Sequence, residues 1–484
     1  MHELLVNPCS LYERLAQEFS ALILDGSLKP GERLPSVRRL ATQRQVSIST
    51  ALQALRSLED RDLIEAKPQA GYFVRRRATP LEEPMITRPP RVPHYVGIAS
   101  MVARVREAAL DPRIVPLGTA SPAAELFPAQ RLQRIASSVA RRDAKVLTTY
   151  GFSSGTPALR HQIARRYLEL GVNIAESEFV VTHGCTEAVG LALRAVTLPG
   201  DTIALESPSY YGTLQTIESL RLQVIEIPTH PREGISLEAL DVVLRHHDIK
   251  ALVVSANASN PLGATMADAR KKALVETMEA ASIALIEDDI YGDLQFGATR
   301  PLPLKAFERD GGVMLCSSFS KTLAPGLRIG WIAPGKHLTS VAQLKYVTTL
   351  TTPAYPQLVI AEFLAQGGYD RHLRVLRRAF SNQVRQMTDA VTAHFPFGTR
   401  VTRPLGGFVV WVELPCDIDT MNLYDSAVAQ GFSFAPGRLF SSTDRYRNCM
   451  RLSCGHPWSP EREQAVVKLG QLVKSRLGVA AGVA

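Results

Sequence analysis

The residues best suited to chemistry lie in polar clusters, each of which follows a short apolar run. They include an amine, Lys321, a carboxylate, Asp288, and an aromatic ring, Tyr210, together with Asn260 and Tyr291. A neutral lysine amine can attack a carbonyl carbon, and a carboxylate can hold a proton or a cationic nitrogen beside it. Each residue type alone is more typical of a surface charge, a turn or a packing contact. Their order and spacing favour one shared site, because each gap between them is long enough for one strand–helix–strand unit.

The apolar runs predict the elements that position these clusters. Strands are expected over residues 179–181, 202–205, 251–254, 283–286 and 313–315. Helical patterns separate them, which predicts strand–helix–strand units and a mostly parallel sheet. Ligands of open α/β sheets bind beyond the carboxyl ends of the strands. Because all five clusters follow strand ends, we expect them to converge on one site.

Pyridoxal 5′-phosphate (PLP) is a cofactor that needs this set of groups. Its aldehyde requires a lysine amine, its ring nitrogen a carboxylate and its ring a flat partner. We interpret Lys321 as the Schiff-base lysine, Asp288 as the partner of the pyridinium nitrogen and Tyr210 as the stacking ring. Asn260 and Tyr291 suit the phenolic oxygen. The same three residues, Lys321, Asp288 and Tyr210, are the candidate catalytic groups.

The phosphate of such a cofactor needs backbone amides at a helix N-terminus, hydroxyl groups and an arginine. The amides of Gly184, Cys185 and Thr186 precede a helix predicted over residues 187–196. We expect the Cys185 amide to matter and its thiol to be incidental. A second predicted phosphate cluster consists of Ser318, Ser320 and Arg328.

Seven segments resemble the fold-type I PLP enzymes of the aspartate aminotransferase superfamily. The resemblance implies that Arg451, with Asn260, binds a substrate α-carboxylate. It also implies that Tyr150 reaches the phosphate bound by a neighbouring subunit, and hence a homodimer. The segments lie between residues 150 and 455 and read YGFSSGTPALR, THGCTEAV, ESPSYYG, NPLG, EDDIYGDL, SSFSKTLAPGLRIGW and RLSCG.

The first 77 residues predict a separate small domain of three helices and a hairpin. Apolar residues at helical spacing mark a first helix over 11–24, and Pro35 and Ser36 open a second. Ser47 is a plausible N-cap of the third helix. The runs 63–65 and 72–74 flank a turn and predict a two-stranded wing. Without further information, a small structural helical domain explains these patterns equally well.

This region resembles the GntR family of winged helix-turn-helix regulators. The resemblance implies that Arg38, Ser49, Thr50 and Gly71 lie at DNA-contacting positions, so double-stranded operator DNA is an expected partner. Further basic residues that could meet phosphates are Arg33, Arg39, Arg44 and Arg75–Arg77. Ile48 stands where many members have a DNA-contacting arginine. The landmarks are G-x-L-x-P-G-x-x-L-P-S, R-x-L-A, V-S-x-x-T, L-I and G-Y-F-V.

Composition places few limits on this interpretation. The 484 residues carry a net charge of +9, with 45% hydrophobic and 21% charged residues, as in ordinary globular proteins. No apolar stretch is long enough for a membrane span, and the start lacks a secretory signal, so a cytoplasmic protein without membrane partners is expected. The cysteine and histidine spacing shows no metal site. Several prolines in residues 78–95 predict an extended linker without a regular element.

The whole chain is thus similar to the MocR subfamily of GntR-type regulators. We expect a winged helix-turn-helix domain over 1–77, the linker over 78–95 and an aminotransferase-like PLP-binding α/β domain over 96–484, with a smaller C-terminal α+β subdomain. The expected function is transcription regulation in response to PLP, an amine or an amino acid. The alternative is a competent aminotransferase with an appended DNA-binding domain. A purely structural protein would not explain the complete set of cofactor-binding residue types.

Overall fold

The computed structural model describes residues 11–24, 27–29, 31–60, 63–67, 70–75, 81–86, 92–108, 110–151, 154–297, 299–415 and 418–481. Contacts divide the chain into two compact units, Met1–Pro80 and Leu81–Ala484. Each unit has its own hydrophobic core and is described by itself. No helix in the described ranges combines the length and apolar character that crossing a membrane requires.

The N-terminal unit is the predicted three-helix domain with a wing. Its core includes Leu15, Phe19, Leu40, Leu55 and Leu58, all nearly inaccessible. The side chain of Ser36 caps the second helix, and the hydroxyl of Ser47 accepts a hydrogen bond from the backbone of Thr50 (3.0 Å) at the start of the third, as predicted. The helices are α1 Leu11–Leu24, α2 Val37–Arg44 and α3 Ile48–Asp60.

The wing consists of β1 (Ile64–Lys67) and β2 (Gly71–Val74), which pair antiparallel. Arg33 forms an isolated antiparallel β-bridge with Phe73 of β2. Gly71 has a φ of +102°, a conformation that residues with a Cβ rarely adopt. Pro68 and Gln69 of the predicted turn lie outside the described residues.

The large unit is an α/β fold built on one mixed sheet. Its helices are α4 Ala99–Ala108, α5 Ala129–Arg142, α6 Pro157–Glu169, α7 Cys185–Val196, α8 Tyr211–Ser219, α9 Leu237–His246, α10 Asp268–Ala280, α11 Leu338–Thr349, α12 Ala354–Ala365, α13 Tyr369–His394, α14 Thr420–Ala429 and α15 Pro460–Ala481. Its strands are β3 His94–Tyr95, β4 Val115–Pro116, β5 Val180–Thr182, β6 Thr202–Ser207, β7 Gln223–His230, β8 Gly234–Ile235, β9 Ile249–Val254, β10 Ala284–Asp288, β11 Val313–Ser318, β12 Gly330–Ala333, β13 Arg400–Val401, β14 Val409–Glu413, β15 Phe432–Ser433, β16 Ala435–Pro436 and β17 Cys449–Ser453.

The main sheet has the order β3-β7-β6-β9-β10-β11-β12-β5, with β8 paired to β7. Strands β7, β6, β9, β10 and β11 run parallel, whereas β12 is antiparallel to both β11 and β5. All five strands predicted from the sequence belong to this sheet. The C-terminal residues form a smaller antiparallel sheet, β13-β14-β17-β16, packed with helices, so the expected α/β domain with a smaller α+β subdomain is confirmed.

The stretch predicted to be a free linker is partly built into the large unit. Residues 81–86 run extended along the C-terminal sheet, where the backbone of Val401 donates to Glu82 (3.0 Å) and that of Met85 donates to Glu413 (3.0 Å). Glu83 pairs with Arg232, which follows β7. His94 and Tyr95 form β3, although no regular element was expected there. Residues 78–80 and 87–91 lie outside the described residues.

Candidate functional site

A cavity of about 240 Å³ opens at the carboxyl ends of β6, β9, β10 and β11. Most of the predicted cofactor-binding residues meet in its wall, as the strand-end argument requires. They are Cys185, Thr186, Tyr210, Asn260, Asp288, Tyr291, Ser318, Ser320, Lys321 and Arg328.

Lys321 follows β11 and projects into this cavity. Its Nζ donates a hydrogen bond to the backbone oxygen of Ala120 (2.7 Å). Burial, together with the nearby cations Arg451 and Arg328, lowers the pKa of Lys321 from its usual 10.5 to about 8, although Asp288 opposes this shift. A substantial fraction of the amine is therefore neutral, and nucleophilic, near physiological pH.

Asp288 is the last residue of β10 and lines the same cavity. Its Oδ1 accepts hydrogen bonds from the Cys185 thiol (3.2 Å) and from the backbone of Ile290 (3.2 Å). Burial raises the pKa of Asp288, while these hydrogen bonds lower it. The Cys185 thiol, which the sequence analysis treated as incidental, thus orients the carboxylate. The hydrogen bond to Asp288 was not visible in the sequence, since the two residues are 103 positions apart.

A phosphate-sized cup forms where α7 begins. The helix begins at Cys185, two residues earlier than predicted, with Gly184 as its N-cap at φ +83°. Arg328, itself in a left-handed conformation, donates to the Ser320 hydroxyl (2.9 Å) and to the backbone oxygen of His183 (2.9 Å). The Ser320 amide donates to the Ser318 hydroxyl (3.2 Å). A Cβ on residue 184 would lie 2.5 Å from the Arg328 guanidinium and would strain the backbone at φ +83°, so both features favour glycine.

A buried ion pair that the sequence analysis missed supports this cup. Glu187, in the first turn of α7, accepts hydrogen bonds from the His183 amide (2.6 Å) and from Lys345 of α11 (2.8 Å). Burial alone would raise the pKa of Glu187, but these partners lower it to about 2. The carboxylate therefore stays charged and holds His183, whose carbonyl positions Arg328. Only the helical position of Glu187 hinted at this role.

Tyr210, Tyr291 and Asn260 complete the polar wall. Tyr291 is hydrogen-bonded to Asn260, and burial raises the pKa of both tyrosine hydroxyls. The Tyr210 ring lies 4.8 Å from the ring of Tyr211. All three side chains are therefore held in place as neutral hydrogen-bonding or stacking groups.

Arg451 lies on β17 directly behind this wall and is completely buried. It donates to Asn260 (3.1 Å) and to the backbone oxygen of Gly118, and its guanidinium lies over the rings of Tyr211 and Phe440. Its Nε has no hydrogen-bond partner among the described residues. Arg451 does not line the cavity itself, whereas its hydrogen-bond partner Asn260 does.

Tyr150 is a predicted cofactor-binding residue that does not line this cavity. Its side chain is 74% exposed and is not part of the cavity wall. It therefore adds nothing to the site of its own chain as described.

The predicted DNA-contacting residues are accessible on the N-terminal unit. Arg38 and Ser49 are exposed and Thr50 is half-buried, with Ser49 and Thr50 in the first turn of α3. The Ser47 hydroxyl is 2.7 Å from both neighbouring hydroxyls, so the three form one polar cluster. Ile48 is 57% exposed beside them. Of the other basic residues, Arg44 pairs with Glu18 (2.6 Å), and Arg76 and Arg77 lie outside the described residues.

Fold and site together define a winged helix-turn-helix protein that carries an aminotransferase-type domain. Residues 11–74 match the model of the bacterial regulatory proteins of the gntR family, and residues 114–468 match that of aminotransferase class I and II. The chain belongs to the MocR subfamily of GntR-type transcription regulators. It is accordingly a DNA-binding regulator.

Known relatives share the whole architecture. The chain is 38% identical to the uncharacterized HTH-type transcriptional regulator YjiR of Escherichia coli (strain K12), over 96% of this chain and 98% of that protein. It is 37% identical to the uncharacterized HTH-type transcriptional regulator YdcR of the same organism, over 96% and 99%.

The large unit also resembles a solved enzyme. The crystal structure of LysN, the α-aminoadipate aminotransferase of Thermus thermophilus complexed with N-(5′-phosphopyridoxyl)-L-leucine, superposes with a TM-score of 0.72 and 28% identity. The match covers 79% of this chain and 98% of that one.

Proposed function

We propose that this regulator holds PLP on Lys321 and responds to an amine, with a carboxylated amine such as an amino acid as the preferred effector. The observation that carries the proposal is the convergence of Lys321, Asp288 and the Arg328 cup on one cavity. The alternative effector is PLP itself, sensed by occupancy alone. In either case the protein acts in the cytoplasm, where its operator DNA lies.

The residues fit the cofactor on two structural grounds. Gly184 leaves space that a Cβ would fill, directly beside the Arg328 guanidinium, and this space suits a phosphate oxygen. Asp288 is a half-buried carboxylate whose only donors in the described chain are the Cys185 thiol and the Ile290 amide, so it can accept a further N–H. Thr186, Ser318 and Ser320 add phosphate donors, Tyr210 a stacking ring, and Tyr291 and Asn260 donors for the phenolic oxygen.

When bound, the cofactor supplies an electrophilic aldehyde carbon and a ring that withdraws electrons. The chain's own residues prepare for it. Lys321 presents a partly neutral amine, because burial and the nearby Arg451 and Arg328 disfavour its charged form. Asp288 keeps a proton on the ring nitrogen. The cup of Arg328 would hold the phosphate, and Lys321 would present its amine to the aldehyde.

An amino-acid effector would be recognised by Arg451. A guanidinium can donate two parallel hydrogen bonds to a carboxylate, and Arg451 is buried with its Nε free of partners among the described residues. To reach it, the carboxylate must replace the carbonyl of Gly118. The amine of the effector would meanwhile take the place of Lys321. Such a ligand shifts the protein only if it binds one arrangement better than the other.

We further propose a homodimer with shared sites. Tyr150 is exposed on its own chain, which suits a residue whose hydroxyl serves the phosphate cup of a neighbouring subunit. Two N-terminal units would then read two DNA half-sites through Arg38, Ser49 and Thr50, with the Gly71 wing beside them. Measuring the mass of the protein in solution with and without PLP tests the dimer.

Effector binding is tested by DNA affinity. The protein is mixed with its own promoter DNA and titrated separately with PLP, with amino acids and with amines that lack a carboxylate. A change in affinity with amino acids supports the proposed effector. A response to PLP alone identifies a cofactor sensor instead.

Aminotransferase activity is the second candidate function, and the completeness of the site favours it. Lys321, Asp288 and Arg451 are all present and held near one cavity, so no missing group excludes turnover. The experiment that separates the two is multiple turnover with an amino acid and a keto acid. Many turnovers per site identify an enzyme, whereas a single turnover or none leaves regulation as the function of the site.

A further inference from the structure

A second cavity of about 300 Å³ lies behind the first, on the other side of the same strand ends. We propose that this rear cavity is a second ligand site, which binds a small aromatic carboxylate. The claim goes beyond the proposed function, because it concerns a different cavity and its test needs no DNA.

The rear cavity borders on the residues that serve the front one. Asp288 lines the front cavity and its neighbour Asp289 lines the rear one. Likewise, Lys321 lines the front cavity and the next residue, Thr322, lines the rear one. Ser318 lines both. The two cavities are therefore separated by little more than one layer of backbone, and apart from Ser318 and Ile290 each is lined by its own residues.

The inner wall of the rear cavity is aromatic. Tyr167, Phe319 and Trp331 are all nearly inaccessible and pack against one another, with the Trp331 indole donating to the Tyr167 hydroxyl (3.3 Å). Burial raises the pKa of that hydroxyl, so it stays neutral. A cavity with such a wall and a volume near 300 Å³ accommodates a flat ring of one small molecule.

The rear cavity is lined by four arginines and four carboxylates, but two of these arginines stand outside its ion pairs. Each lining carboxylate already has a partner: Asp289 and Asp293 pair with Arg300, Asp370 with Arg166 and Glu169 with Arg165. Two further lining residues, Arg374 and Arg377 on α13, form no ion pair within the described part of the chain. One backbone contact, to the carbonyl of Asp293 (2.7 Å), positions Arg377.

The charge of Arg377 is thus poorly compensated. Burial lowers its pKa, and Asp293 only partly opposes this. A ligand carboxylate could accept charge-assisted hydrogen bonds from Arg374 and Arg377, neither of which forms an ion pair within the described residues. The aromatic wall and the two arginines together select a ring that bears one carboxylate.

Benzoate is the probe that tests this inference. Binding of radiolabelled benzoate to the full-length, PLP-loaded protein is measured by equilibrium dialysis. The double variant Arg374→Met, Arg377→Met should bind at least tenfold more weakly than the parent protein. The matched control changes Arg371 and Arg378 to Met, two exposed arginines of the same helix that do not line the cavity, and should bind as the parent does.

Two results would overturn the inference. One is a parent protein that binds no benzoate at millimolar concentration; the other is a double variant that binds as tightly as the parent, which would place the benzoate elsewhere. If the double variant fails to fold, Arg374→Met alone decides, because Arg374 is exposed and makes no hydrogen bond to another described residue. That single variant should still bind benzoate more weakly than the parent protein. Unchanged binding would contradict the proposal.

Discussion

Lys321 and Arg451 donate hydrogen bonds to backbone carbonyls only two residues apart, those of Ala120 and Gly118. One short segment therefore occupies both the amine and the guanidinium that the proposed effector must engage. An amino acid would have to take over both contacts at once. Because this segment belongs to the backbone of the large unit, exchanging its contacts is the change that the proposed effector would make there.

The first prediction concerns the attachment of the cofactor. The parent protein should absorb visible light after incubation with PLP, and Lys321→Ala should lose that lysine-dependent band without unfolding. Absorption spectra and circular dichroism provide the check. Lys336→Ala, an exposed lysine on a surface ion pair, is the control and should keep the band. An unchanged band in Lys321→Ala would show that PLP is not held by this amine.

The second prediction concerns pH. Only the neutral amine attacks an aldehyde, so the rate at which the apoprotein captures PLP should rise as pH rises through the Lys321 pKa of about 8. Arg451 lowers that pKa, so Arg451→Met should raise it and move the midpoint to higher pH. Stopped-flow absorbance measures both profiles. A midpoint that stays in place or moves to lower pH would contradict the electrostatic coupling.

The third prediction concerns the phosphate cup. Gly184→Ala puts a Cβ 2.5 Å from the Arg328 guanidinium and strains a backbone at φ +83°. Strain of this kind costs about 1–3 kcal/mol, or roughly tenfold to a hundredfold in PLP affinity if it must be relieved by moving Arg328. Gly200→Ala is the control, since Gly200 has a similar φ of +95° but its Cβ would meet no atom within 4 Å. Equal PLP affinity in the two variants would show that the cup does not contribute to PLP binding.

The fourth prediction concerns DNA. Arg38→Ala should weaken binding to the operator by about 1–3 kcal/mol if Arg38 reads a base. Binding should also weaken steeply with salt, because each neutralised phosphate releases counterions. Arg14→Ala removes an exposed arginine of α1 and is the matched control. Fluorescence anisotropy at several salt concentrations is the measurement, and identical affinity of the Arg38 and Arg14 variants would refute this contact.

The parts that could be predicted from the sequence are those set by local patterns. A buried run followed by polar residues located Asp288 and Lys321 at strand ends, and Ser47 followed by a helical pattern located the start of α3. The contact between Lys321 and Ala120 spans 201 residues, and no local pattern encodes it. The same holds for the Cys185 thiol beside Asp288.

The linker shows the limit of composition as a guide. Its prolines and charges predict an extended chain, and residues 81–86 are extended. What composition could not show is that Glu82 and Glu83 find partners at Arg400 and Arg232, which lie far along the sequence. The rear cavity was missed for the same reason, since α6, β12 and α13 meet there only in the folded chain.

The most direct test of the central claim follows the visible spectrum and the DNA affinity of the PLP-loaded protein during titration with amino acids. The account predicts that some amino acid changes both signals over the same concentration range. It also predicts that Arg451→Ala abolishes the response to carboxylated amines while PLP stays bound. If no amine alters DNA binding and PLP alone does, the amino-acid account is wrong and the protein senses its cofactor.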